Sequence, residues 1–161
     1  MAFGATRAQG QRTRLGVLLT AALAVCLGCA DHLEPAAFAL PTPDRATFEL
    51  DTGPLLATRC GDALCHGRPD RPFVLYSVGR HRLDPAQTFL STPLSQQERD
   101  RNFASTLGFL DHPTAHHTTL LRKALGQLGH KGGVVFEAPS DPPVQAIAAW
   151  LTGETARRRA P

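Results

Sequence analysis

Prolines and glycines interrupt this 161-residue chain so often that only short elements of secondary structure are expected. The sequence contains 13 Pro and 14 Gly. Proline removes a backbone donor and breaks helices, and glycine weakens helices and strands through its backbone entropy. The length allows one domain and excludes a large enzyme barrel or a bundle of membrane-spanning helices. We therefore expect one small domain with many turns.

The first 28 residues have the pattern of an export signal. Arg7, Arg12 and Arg14 precede an uncharged apolar segment that runs from Leu15 to Gly28. As a helix this segment would extend about 21 Å, which is short of the roughly 30 Å hydrocarbon core of a bilayer. A basic region, a short apolar region and a small-residue cleavage site predict a secretory signal peptide over residues 1–28.

The end of this segment, Leu27-Gly28-Cys29, resembles the lipobox of bacterial lipoproteins. The resemblance implies cleavage after Gly28 and a lipid on Cys29, although Cys26 stands where the lipobox usually has Leu. Ordinary signal cleavage and an uncleaved anchor are the alternatives. Asp after the lipidated cysteine tends to retain lipoproteins in the inner membrane, so Ala30 favours the outer membrane. We expect an exported, lipid-anchored protein that faces the periplasm.

Removal of the signal peptide changes both the charge and the number of cysteines. Residues 1–28 contain three of the 17 basic residues and none of the 14 acidic ones, so 14 of each remain and the formal charge is zero. This balance gives no indication of a nucleic-acid partner. Of the four cysteines, Cys60 and Cys65 are then left, and an oxidising compartment favours their covalent use.

Four helices are predicted in the ordered domain, which we place at residues 48–152. They cover about Asp51 to Arg59, Gln96 to Leu110, Thr118 to Leu128 and Asp141 to Leu151, on the evidence of caps and apolar spacing. Two short β pieces are predicted, at Phe73 to Val78 and Val134 to Phe136. Residues 29–47 contain three Pro and no periodicity, which predicts a lipidated tether, and residues 153–161 are predicted to be a disordered tail. The predicted fold class is mostly α with short β pieces.

The segment Cys60-Gly-Asp-Ala-Leu-Cys65-His66-Gly67 carries the residues that indicate chemistry. Attachment of a c-type haem needs two thiols, which add to the two vinyl groups, and a histidine directly after the second thiol as an iron ligand. The usual spacing has two residues between the thiols and this chain has four, so the extra residues must bulge outward. Gly61 and Asp62 are suited to such a turn.

Two other interpretations of the segment stay open. The first is a plain disulfide between Cys60 and Cys65, with His66 incidental. The second is a zinc site, which would need scattered histidines to complete the four ligands that two cysteines begin.

The order of motifs along the chain resembles the cytochrome-c-like domains of exported planctomycete and myxobacterial proteins. The matching segments are CGDALCHG (60–67), RLDP (82–85), LLRKAL (120–125), HKGGVVF (130–136) and DPPVQAIAAWL (141–151). Lys131 departs from the His-Gly-Gly-Gly that the family often has. The resemblance implies an all-α cytochrome-c-like fold, one haem c held by Cys60 and Cys65, His66 as the proximal iron ligand, and a role in electron transfer.

The second axial ligand cannot be the methionine common in small cytochromes c, because Met1 is the only methionine and leaves with the signal. His130 is the preferred candidate, because the glycines around it let the backbone approach a flat cofactor closely. The other histidines are less favoured as ligands. His112, His116 and His117 lie in a predicted polar turn, and His32 lies in the tether. His81 stands between two arginines and is expected to face water or the haem propionates.

These features predict a membrane-anchored monohaem c-type cytochrome that binds haem and exchanges electrons with a redox partner protein. Two histidine ligands should give a lower reduction potential than a His/Met pair. No nucleophile with a base, no phosphate-binding loop and no pair of carboxylates is recognisable, so no enzyme activity is expected. The alternatives are a disulfide-stapled structural or interaction lipoprotein without haem, and a haem-based sensor with an open iron.

Overall fold

The computed structural model describes residues 39–154. The predicted signal peptide, the predicted lipidation site Cys29, the first part of the predicted tether and the end of the predicted tail lie outside these residues. In the part of the chain that is described, no helix is both long and apolar enough to cross a membrane.

Short helices joined by loops make up the described domain, and its mostly helical class is confirmed. In chain order the elements are α1 (Arg45–Thr47), a π-helical turn (Phe48–Thr52), α2 (Gly53–Cys60), a 3-10 turn (Pro85–Gln87), α3 (Gln96–Leu107), a second 3-10 turn (Ala115–His117), α4 (Thr119–Ala124) and α5 (Pro142–Leu151). Each of the four predicted helices has a counterpart among them.

The first helical run starts earlier than the sequence indicated. The Asp44 carboxylate accepts a hydrogen bond from the Thr47 N–H at 2.6 Å, and α1, the π-helical turn and α2 then follow without a break. Thr47 and Phe48 are buried, so packing stabilises a turn of helix inside the segment predicted to be a tether. As predicted, α2 leads directly into the cysteine motif.

Caps define the bounds of the two middle helices. Ser95 and Glu98 form the predicted capping box of α3. Thr118 caps α4, its hydroxyl accepting from the Leu121 N–H at 3.4 Å. α4 ends well before the predicted Leu128, because Gly126 adopts a left-handed backbone with φ 70°, which closes the helix as a C-terminal glycine commonly does.

The two predicted β segments form no strand within residues 39–154, which corrects the prediction. Side chains of α3 bind the first segment instead. The Ser105 hydroxyl accepts from the Val74 N–H at 2.9 Å, and the Asn102 amide bonds both the N–H and the carbonyl of Tyr76, at 2.7 and 2.9 Å. In the second segment, two successive N–H groups donate to the Ala124 carbonyl. These bonds satisfy the backbone groups that a sheet ladder would otherwise pair.

The hydrophobic core joins the first helical run to the last helix. The Phe48 ring centroid lies 5.3 Å from that of Trp150 and 5.2 Å from that of Phe103. The Trp150 indole also donates to the Asp44 carbonyl at 2.8 Å. Other fully buried apolar side chains are Leu56, Leu75, Leu121, Val144 and Ile147. The first helical run and the last helix therefore pack against each other, and their contact centres on an aromatic pair.

A buried ion pair fixes the loop that precedes α3. The side chains of Arg82 and Glu98 are 3% and 2% exposed, and two parallel hydrogen bonds of 2.9 and 3.0 Å join them. Arg82 also donates to two backbone carbonyls of the loop, and Glu98 accepts from the N–H groups of Leu83 and Ser95. Burial alone would raise the pKa of Glu98, but these hydrogen bonds outweigh burial and lower the pKa to about 2.

The substitution Glu98→Gln should destabilise the domain by about 3–5 kcal/mol at pH 7, because it leaves the Arg82 guanidinium buried without its counter-charge. Urea unfolding followed by circular dichroism measures this change. The exposed Arg68–Asp70 pair, 2.8 Å long, provides a control, since Asp70→Asn should cost less than about 1 kcal/mol.

The same pair should make stability depend on pH. The depressed pKa of Glu98 stabilises the fold above the ordinary carboxyl pKa of about 4.3, and this contribution is lost as the pH falls towards about 2. The Glu98→Gln variant should lack this part of the pH dependence. Equal unfolding free energies for the variant and the unmodified protein at pH 7 would contradict the role given to the pair.

Candidate functional site

The cysteine motif folds into a closed double turn at the end of α2. The Cys60 carbonyl accepts from the His66 N–H at 3.1 Å, and the Asp62 carbonyl accepts from the Gly67 N–H at 2.8 Å. A Cβ atom on Gly67 would lie 2.4 Å from a backbone oxygen across the turn, so a glycine is needed there. Asp62 and the two residues after it are exposed. Residues between the two cysteines therefore project outward, as haem attachment at this spacing would require.

This turn presents His66 to the interior with one of its two nitrogens engaged. The Nδ1 atom lies 2.9 Å from the Phe73 carbonyl oxygen, and the ring centroid lies 4.8 Å from that of the Phe73 ring. A carbonyl oxygen only accepts hydrogen bonds, so Nδ1 carries the proton. The Nε2 atom of the neutral ring then keeps its lone pair free for a metal.

His130 is held in the same way by a glycine turn of its own. Its Nδ1 atom lies 2.8 Å from the Gly133 carbonyl oxygen, and the Gly133 N–H donates to the His130 carbonyl at 3.0 Å. Gly133 has φ 75°, a conformation that glycine adopts readily. The turn therefore fixes the proton on Nδ1 and leaves Nε2 as the acceptor of this ring as well.

The rings of His66 and His130 are neighbours and their planes are nearly parallel. Their centroids are 5.9 Å apart and their planes are within 7° of parallel. Two metal–nitrogen bonds of roughly 2 Å each, with roughly 1 Å from each nitrogen to its ring centre, would separate the centroids by about 6 Å. Metal-bound histidines also commonly donate their other N–H to a backbone carbonyl. The centroid separation of the pair is therefore close to that of two imidazoles bound to one metal ion from opposite sides.

An apolar cavity of about 40 Å³ adjoins the two rings. Both imidazoles and Cys60 line it, and its apolar walls come from Leu56, Phe73, Phe109, Leu121, Phe136 and Ile147, among others. Cys65 directly precedes His66 in the chain. It is half-buried but does not line the cavity. Both cysteines are free thiols in this structure.

Burial governs the charge states of the groups around the cavity. Burial, and to a smaller extent Cys65, raises the pKa of Cys60 to about 11 despite the nearby Arg59, so Cys60 is a neutral thiol at pH 7. Burial also lowers the pKa of His66, and this outweighs the opposing hydrogen bond to Phe73. His66 is therefore neutral at pH 7, which is the form that binds a metal.

Two cations lie near the imidazole pair. Lys123 lines the cavity, and its Nζ atom donates to the Gly129 carbonyl at 3.0 Å, next to His130 in the chain. Positive charge on Arg71 and Lys123 contributes to the lowered pKa of His66. The site therefore combines an apolar interior with positive charge nearby.

The other candidate histidines do not line this cavity. His112 contacts His117, with ring centroids 4.9 Å apart, His116 borders a separate surface cleft, and the His81 ring stacks on Tyr76. His32 lies outside the described residues. Within residues 39–154, no group of three or more His, Cys, Asp or Glu side chains could together hold a metal ion.

Three groups that orient the site were not identified from the sequence. Two of them are the backbone carbonyls of Phe73 and Gly133, and a carbonyl has no side-chain identity that a sequence could reveal. The third is Lys123. Its place in the predicted helix that precedes the His130 loop was the available indication.

No protein-family model, no curated protein and no solved structure matches this chain.

The cofactor-free protein should hold both rings of the pair in the Nδ1–H tautomer at pH 7, and side-chain ¹⁵N chemical shifts report this directly. His112 is an internal control, because its Nδ1 atom accepts from the Thr114 N–H and should therefore be unprotonated in the neutral ring. An Nε2–H tautomer on either His66 or His130 would contradict the ligand geometry described above.

The lowered pKa of His66 has a consequence for the stability of the cofactor-free protein. We expect this ring to titrate below the ordinary histidine value of about 6.5. Because the folded pKa is depressed, the neutral ring favours the fold above about pH 6.5, and this contribution is lost as the pH falls through the folded pKa. The same NMR titration, compared with urea unfolding, checks both statements.

Proposed function

We propose that this chain is a membrane-anchored monohaem c-type cytochrome that binds haem and transfers electrons. In this proposal Cys60 and Cys65 hold one haem c covalently, and His66 and His130 are the two iron ligands. The domain would then belong to the cytochrome-c-like class that the order of sequence motifs resembles.

The observation that carries the proposal is the pair of parallel imidazoles. Their centroid separation of 5.9 Å is close to the value for two ligands of one metal ion, and both Nδ1 atoms are already engaged by carbonyls. Cys60 lines the same cavity, and Cys65 directly precedes His66. A single turn would therefore present both attachment thiols and the first iron ligand.

The donor set suits haem, and the size of the cavity implies that haem binding opens it. Its volume of about 40 Å³ is far below that of a porphyrin, and apolar walls close on each other when nothing separates them. The side that could move is His130 together with the turn that follows it, because residues 131–134 are all exposed. Lys123 and Arg71 would then be available to pair with the haem propionates.

Haem supplies a one-electron couple when bound, and the residues of the chain define how that couple is used. With His66 and His130 both bound to the iron, no position would stay open for a substrate, which would favour outer-sphere electron transfer. Two imidazoles, without methionine, favour a low reduction potential. We accordingly propose an electron carrier rather than an enzyme.

The sequence-based localisation completes the proposal. A lipid on Cys29 would anchor the domain to a membrane with the haem facing the periplasm, and Ala30 favours the outer membrane. The partner would be another redox protein of that compartment.

Protein exported from a host that attaches c-type haem should be red, and its denatured chain should retain haem on a stained gel. Intact mass should show one haem and one lipid. The variants Cys60→Ser and Cys65→Ser should each keep a single thioether, which the pyridine haemochrome spectrum distinguishes from two, and the double variant should lose haem on denaturation. A colourless protein whose mass is short by two hydrogens would instead support the disulfide-stapled lipoprotein.

The substitution His130→Ala should convert the ferric haem from low-spin to high-spin, because it removes one of two strong axial ligands. The absorption spectrum and electron paramagnetic resonance measure the spin state. His112→Ala is the matched control and should leave the spin state unchanged. The opposite pattern would move the axial ligand to the histidines near residue 112. An unmodified reduced protein that binds carbon monoxide readily would favour the sensor alternative.

A further inference from the structure

A second cavity, of about 430 Å³, lies on a different face of α2 from the imidazole pair. Ala57 and Thr58 border this larger cavity, whereas Leu56 and Cys60 border the smaller one. The helix therefore separates the two spaces. The larger cavity has a volume within the range of small-molecule sites, which is about 300–1,000 Å³, and the proposed haem does not use it.

The walls of this cavity are mainly apolar. They include Phe48, Val78, Pro93 and Leu94. Phe48 begins the π-helical turn, and a Cβ atom on Gly53 would lie 3.0 Å from its ring, so glycine allows that ring to lie directly against the helix. Turns of π-helix within α-helices occur frequently at functional sites. The irregular helix here shapes one wall of the cavity.

Most polar groups in the lining are already satisfied by the protein. The Asn102 amide bonds the Tyr76 backbone on both sides, and the Ser77 hydroxyl donates to the Ala57 carbonyl at 3.1 Å. The Glu49 carboxylate pairs with Arg45 at 2.8 Å. None of these groups needs a ligand for its hydrogen bonds.

The two arginines that line the cavity differ in how far the protein satisfies their charge and their hydrogen bonds. Arg99 pairs with Glu49 at 3.5 Å and donates to the Leu94 carbonyl and the Gln96 side chain. The Arg80 side chain makes one long hydrogen bond, from Nη1 to the Thr58 carbonyl at 3.3 Å. No ion pair forms with Arg80 among the described residues. The cavity therefore has an apolar interior and one guanidinium whose charge is not balanced there.

We propose that this cavity binds a single-chain amphipathic carboxylate, such as a medium-chain fatty acid. The hydrocarbon would lie against Phe48, Ala57, Val78 and Leu94, and the carboxylate would accept hydrogen bonds from Arg80. A guanidinium offers paired donors that match the two oxygens of a carboxylate. If each methylene takes about 30 Å³, roughly the share of one water molecule, the cavity holds about a dozen carbons. That volume suits one chain and excludes a two-chain lipid.

The test is calorimetric titration of the full chain, held in lipid nanodiscs, with decanoate. Protein-free nanodiscs of the same composition give the blank for partition into lipid. We expect saturable binding of one decanoate per chain. Decanol and decylamine have the same hydrocarbon without the anionic head, and both should bind about tenfold more weakly or worse, because they lack the charge-assisted hydrogen bonds. This comparison needs no variant.

Three variants locate the site. Arg80→Gln should weaken decanoate binding about tenfold or more while leaving decanol binding unchanged. Arg59→Gln removes the same charge from an exposed position of α2 outside the lining and should leave decanoate binding unchanged. Ala57→Met should fill part of the cavity and weaken both ligands. Circular dichroism and thermal unfolding confirm that each variant is folded.

Several results would overturn the proposal. They are no saturable binding above the blank, equal affinity for decanoate and decylamine, or equal loss in the Arg80→Gln and Arg59→Gln variants. Since decanoate binding does not require haem, a colourless protein that binds decanoate would refute the cytochrome proposal alone. A red protein without the carboxylate site would refute this inference alone.

Discussion

Two polar side chains of α3 hold the backbone of residues 74–76, and the candidate site depends on that attachment. Asn102, which is 2% exposed, bonds Tyr76 at both its N–H and its carbonyl, and Ser105 accepts from Val74. A buried backbone group without a partner would cost about 1–3 kcal/mol, so these bonds determine where the segment can lie. The Phe73 carbonyl, which orients His66, directly precedes it.

The position of α3 is itself set by a residue with two roles. Glu98 closes the capping box of the helix and at the same time pairs with buried Arg82. The first role fixes the start of α3, and the second ties the loop after the cysteine motif to that start. The cap thus positions α3, and side chains of α3 bind residues 74–76. The preceding residue, Phe73, accepts the hydrogen bond from the ring of His66.

Much of the helical framework and the site could be predicted because its signals are local. The capping box at Ser95, the helix leading into Cys60 and the histidine after Cys65 all follow from residues a few positions apart. That residues 73–78 form no strand could not be predicted, because the partners of Val74 and Tyr76 lie 31 and 26 residues away along the chain and are side chains. The early start of the first helix depends on burial of Phe48 against Trp150, which is also a contact between distant residues.

The two proposed iron ligands are supported very differently, and this bears on the choice between carrier and sensor. His66 lies in a closed turn and packs on Phe73, and side chains of α3 bind the segment that follows Phe73. His130 depends on its own short turn, and the residues that follow it are exposed. Segments with few buried contacts open at low free-energy cost. The closed, six-coordinate iron of an electron carrier would therefore depend on the stability of the turn at residues 130–133. Because the Gly133 carbonyl keeps the proton on Nδ1, that turn supplies both the position of the ring and the free Nε2 atom that a metal needs.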